Sequence, residues 1–152
     1  MSDPLKLIAL DSDDLAVVSA VVQDAILKVG DIETDGQARQ AVLTLRRFVR
    51  EASRPWWKVF GRQQRSLSVL HFNRVRSVRS FRLDRNDSEG TLVLLSATFE
   101  PDEPDAAAGA IRLTFAGESE LVLQVDAIEA QLSDLGARWA AVAKPDHSTT
   151  AP

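Results

Sequence analysis

No residue of this 152-residue chain is a cysteine. Disulfides, thiolate catalysis and cysteine-based zinc sites are therefore excluded. The absence fits a cytoplasmic protein, and a cytoplasmic location is the expectation. Long apolar runs are missing too. The longest, such as Leu92 to Leu95, fall far short of the ~20 residues of a membrane span. The opening Met1-Ser2-Asp3-Pro4 has no basic segment followed by an apolar one, so no signal peptide is expected. Histidine is scarce, with two in the chain, His71 and His147. Nothing resembles a nucleophile elbow, a Walker loop, a dinucleotide fingerprint or a metalloprotease helix. Asp11, Asp13 and Asp14 lack the glycine and distal glutamate of a calcium loop, and helix capping explains them better. No metal or cofactor is expected.

What the chain does have is a lopsided charge. Residues 46 to 85 hold twelve of the 18 lysines and arginines and only two acids, Glu51 and Asp84, a formal charge of +10. The rest carries six bases and 20 acids, or −14, which leaves the net −4. Such a split speaks to partners and solubility, not to fold. At 45% hydrophobic and 26% charged, the composition is that of a folded soluble domain. The length suits one domain with a real core. We expect a single α+β domain over residues 1–143. The tail at 144–152 has nothing to bury and is expected to be disordered.

Leu5 to Leu10 reads as a strand. Leu15, Val18 and Val22 recur at helical spacing after Asp11-Ser12-Asp13-Asp14, which predicts a helix from about Asp13 to Gln23. Asp35-Gly36 between two extended segments signals a hairpin. Residues 51–65, with Pro55 and Gly61, read as a long excursion between strands. Leu67 to Phe72 is a strand. The apolar phase then slips by one, which a straight strand cannot do, so a bulge or corner is expected near His71 to Arg74. Val93, Leu95, Ala97 and Phe99 are assigned to one face of the next strand. Ile111, Leu113 and Phe115, then Leu121, Leu123 and Val125, continue an antiparallel meander. Asp126 as cap, Glu129, and the stripe Ile128, Leu132 and Leu135 before Gly136 predict a closing helix. The expected fold class is thus α+β: a strongly bent antiparallel sheet or small open barrel of about seven strands, with an early helix and a closing C-terminal helix. It is pleckstrin-homology-like by analogy, and that analogy implies no function.

Several segments together resemble a bacterial family of small cytoplasmic proteins known only as a domain of unknown function. They are Asp3 to Asp11 with Asp14-Leu15, Gln23 to Asp31, Leu70 to Ser80, Thr98-Phe99-Glu100-Pro101, and Ile128-Glu129-Ala130 with Leu132 to Gly136. They span nearly the whole chain except the tail. The resemblance implies a single cytoplasmic domain and supplies no activity or catalytic residue.

The basic stretch carries the functional expectations. Arg74, Arg76 and Arg79, with Arg54, Lys58 and Arg62, are candidates for gripping an anionic partner, since a guanidinium meets carboxylate or phosphate through a flat fork of donors. Trp56 and Trp57 sit among basic residues and are candidate aromatic contacts. The leading expectation is a non-catalytic binding or adaptor domain for an acidic protein surface. The negative overall charge places RNA or single-stranded nucleic acid second. A small-molecule enzyme or carrier using the barrel mouth, with His71, comes third. Peripheral membrane binding follows. The residues lean against catalysis, and they leave the oligomeric state open.

Overall fold

In a computed structural model describing residues 4–49 and 65–135, alternation of apolar and polar side chains builds almost all of the architecture. The chain opens with β1 (Lys6–Ala9) and α1 (Ser12–Val21). Asp11 is extended and its side chain accepts from the Asp14 amide at 2.8 Å, satisfying one of the helix's free donors. Leu15, Val18 and Val22 enter the core, as their spacing predicts. β2 (Ala25–Lys28) and β3 (Ile32–Asp35) flank a single 3-10 turn, Val29–Asp31. β3 and β4 (Gln40–Phe48) form the expected hairpin. Asp35 Oδ1 closes it by accepting from the amides of Gln37 and Ala38.

The corner expected near His71 to Arg74 is present. β5 (Arg65–Phe72) ends just before Asn73, Arg74 adopts a left-handed backbone with φ of 60°, and β6 (Val75–Phe81) departs from there. The Asn73 amide donates to the Glu129 carbonyl and the Val75 amide to the Arg39 carbonyl, so the corner is tied on both sides. β7 (Thr91–Pro101), β8 (Gly109–Phe115) and β9 (Ser119–Val125) make the meander. β7 departs from expectation in phase. A bulge between Leu94 and Ser96 flips its parity, so Leu92, Leu94 and Ala97 are buried while Leu95 is exposed. The Ala97 amide beside the bulge donates to Ser19 Oγ of α1.

Two expectations are corrected. Ten strands, not about seven, form among the described residues. The closing helix is not there either: Ala130–Asp134 is a strand, β10. It lies between β1 and β5, with Leu132 opposite both Leu7 and Leu70. Helical spacing of Ile128, Leu132 and Leu135 competes with alternation of Ala130 and Leu132 against Gln131 and Ser133. Two flanking strands decide it, because β1 and β5 pair with the segment on both sides and so answer its backbone donors and acceptors. Asp126 therefore caps nothing. Residues beyond Leu135, including the rest of the expected helix and the tail, lie outside the described residues.

All strands join one antiparallel sheet in the order β1-β10-β5-β4-β2-β7-β8-β9-β6, with β3 added on β4. The sheet is not closed: β1 and β6 end the order. It nonetheless encloses one core. Leu43, Leu70, Phe72, Leu94, Ile111, Phe115 and Leu123, from β4, β5, β7, β8 and β9, are all fully buried in a single cluster. α1 packs its apolar side onto the same cluster, against β7 and β1.

Candidate interaction surface on the sixth strand

Arg74, Arg76 and Arg79 all belong to β6 or the corner that starts it. Their distance in sequence from the acids conceals how close the fold brings the two. Arg74 Nε lies 2.9 Å from Glu129 Oε1, and Asn73 Nδ2 donates to the other carboxylate oxygen at 2.8 Å. Arg74, then Asn73, hold the Glu129 carboxyl below its ordinary value. Arg76 sits in a bulge between Val75 and Ser77. Its Nε is 3.1 Å from Asp126 Oδ1 and its terminal nitrogen 3.6 Å from Asp102. Asp126 also accepts from Arg39 at 2.6 Å. Arg82, just past the strand, meets Glu118 at 3.3 Å. Among the described residues the positive stretch is thus not a continuous row of free cations. Arg74, Arg76 and Arg82 are each answered by acids from the C-terminal half.

Arg79 is different. It projects from the outer face of β6, opposite Val122, with Arg112 beyond on β8. Among the described residues it has no carboxylate partner; its guanidinium lies 5.7 Å from the Phe81 ring. Arg112, by contrast, is held between Glu100 and Glu120. Phe81 is 43% exposed. β6 is exposed along most of its length, and β9 is its sole strand partner among the described residues.

Arg47 was placed by sequence only in the basic run, and the structure buries it. Its Nε and a terminal nitrogen donate to the two oxygens of Asp134 at 2.9 and 2.7 Å. Ser68 Oγ and the Leu5 amide donate to the same carboxylate. Burial alone pushes the Asp134 carboxyl up, but Arg47, Ser68 and the Leu5 amide outweigh it and hold it below its ordinary value. The parity of β4 carries the signal: Arg47 continues the inward series Ala41, Leu43, Leu45.

His71 does not line a barrel mouth. It shares the outer parity of β5, between Val42 and Gln131, opposite in direction to Leu70 and Phe72. Its Nε2 is buried with no hydrogen-bond partner among the described residues. An open hollow near it is bordered, among the described residues, by Glu33, Thr34, Asp35, Gln40 and Val42, with no basic side chain among them. No cluster of three metal-binding side chains occurs among the described residues, and no described helix is long and apolar enough to cross a membrane. Arg54, Lys58, Arg62, Trp56 and Trp57 lie outside the described residues, as does His147.

These features define a β-rich domain with a single α-helix among the described residues. Residues 5–147 match the family model described as "Protein of unknown function (DUF2948)", and the chain belongs to that family. No curated protein and no solved structure matches it.

Proposed function

We propose that this domain is a non-catalytic binding module, acting in the cytoplasm, that engages an acidic partner protein through the basic surface of β6. The observation that supports this is the state of Arg79: outward on an edge strand, beside an exposed phenylalanine, and without a carboxylate partner among the described residues. Arg74 and Arg76 flank it. Their ion pairs are solvent-exposed on both sides. Exposed pairs of this kind contribute only about 0–1 kcal/mol, so a partner's carboxylate can share or replace Glu129 and Asp126 at little cost. The buried Arg47 pair is not available in this way. Arg54, Lys58, Arg62 and the two tryptophans would extend the surface, but the contact does not require them.

The test is fluorescence anisotropy of a labelled glutamate-rich peptide and of a labelled oligouridylate, at low and physiological salt. The expected result is salt-sensitive peptide binding that Arg79→Glu weakens. Tight oligouridylate binding with no peptide binding would transfer the surface to nucleic acid.

A further inference from the structure

We propose that β6 receives an extended acidic segment of the partner as an added β-strand. This rests on the reading above and specifies how the same surface is used. The sheet order ends at β6, so among the described residues no strand takes up its outer row of backbone donors and acceptors. Exposure occurs on both of its faces. On β9, the inward residues Leu121 and Leu123 are fully buried; on β6, inward Val78 is only half-buried and Ser80 is exposed. The sheet stops before its own apolar lining is covered.

The two ends of the sheet are not equivalent. β1, the other end, is short and is followed at once by Asp11, Asp13 and Asp14, with α1 packed beside it. An acidic segment is repelled there and attracted to Arg76 and Arg79. The usable length is set by the chain itself. The bulge at Arg76 distorts the start of β6, and Arg82, left-handed with φ of 53°, ends it. Ser77 to Phe81 remains as a regular run, and at about 3.4 Å per residue it spans roughly 17 Å.

Side-chain alternation then defines the occupant. In an added strand, the residue opposite Arg79 lies on the outer face with Ser77 and Phe81, and the residues opposite Val78 and Ser80 lie on the inner face. The favoured partner segment alternates acidic and aliphatic residues, with the acid paired to Arg79. Main-chain hydrogen bonds supply the affinity and the alternation supplies the selectivity.

The experiment uses the full chain and three labelled peptides: one alternating glutamate and valine, one of the same composition with the glutamates in a block, and the alternating peptide N-methylated at every second residue. The expected result is that the alternating peptide binds best. Methylation removes ladder donors, each of which contributes about 0.5–1.5 kcal/mol, and should weaken binding about tenfold or more. Hydrogen exchange should slow at alternate amides from Ser77 to Phe81 when the first peptide is bound. If all three peptides bind equally and these amides stay unprotected while Arg79→Glu still weakens binding, strand addition is overturned and the charge contact stands. If no acidic peptide binds, both fall.

Discussion

Asp134 accepts four hydrogen bonds: two from Arg47 on β4, one from Ser68 on β5 and one from the Leu5 amide beside β1. Removing one partner of such a buried pair leaves the other charge uncompensated, so Asp134→Asn should cost about 3–5 kcal/mol in urea unfolding at neutral pH. The pH dependence has a definite sign. The folded-state value is lowered, so the contribution is present above the unfolded aspartate value of about 3.9 and is lost as pH falls through the lower folded value. The stability gap between wild type and Asp134→Asn should therefore narrow in strong acid. A gap that stays constant would mean the carboxylate is not the stabilising species. Gly109 is a second single-residue constraint. A Cβ there would stand 2.3 Å from the Glu100 carbonyl oxygen and 2.7 Å from the Phe99 ring. Gly109→Ala should lower stability by about 1–3 kcal/mol through overpacking of the β7–β8 hairpin. A thermal melt unchanged from wild type would contradict it.

At the scale of elements, β10 separates what patterning reveals from what it does not. Ala130 is 3% exposed in the strand, whereas a helix presenting Ile128, Leu132 and Leu135 would turn Ala130 toward solvent. Ala130→Glu should thus destabilise by several kcal/mol, as a buried unpaired carboxylate does. Gln131→Glu, on the outer face, should be nearly neutral. Equal tolerance at the two positions would favour the helix. The α1 cap, the Asp35-Gly36 hairpin and the corner at Asn73–Arg74 are legible from sequence because each has a local cause: a capping oxygen, a turn dipeptide, a phase slip. β10 is not legible, since five residues bounded by no turn signal fit two periods and only β1 and β5 select one. The β7 bulge escapes for a related reason. Val93, Leu94 and Leu95 are all apolar, so nothing in the pattern marks where the parity changes.

Across the whole molecule, the charge split in sequence becomes a set of ion pairs in space. Glu129, Asp126, Asp102 and Glu118 come from the acidic C-terminal half and meet Arg74, Arg76 and Arg82. The candidate contacts Arg74, Arg76 and Arg79 could be named from sequence. Their pairing could not, because it depends on β9 lying beside β6 and on the loop after β9 reaching the corner. Among the described residues Arg79 has no carboxylate partner, and it stands on an open edge of the sheet. The most direct test of that edge as a docking site is the affinity of the alternating acidic peptide for wild type and for Arg79→Glu, measured by anisotropy at low and physiological salt. The account predicts binding that weakens with salt and that the reversal lowers about three- to tenfold, the scale of one or two exposed charge contacts. Identical affinities for the two proteins, or binding indifferent to salt, would contradict it.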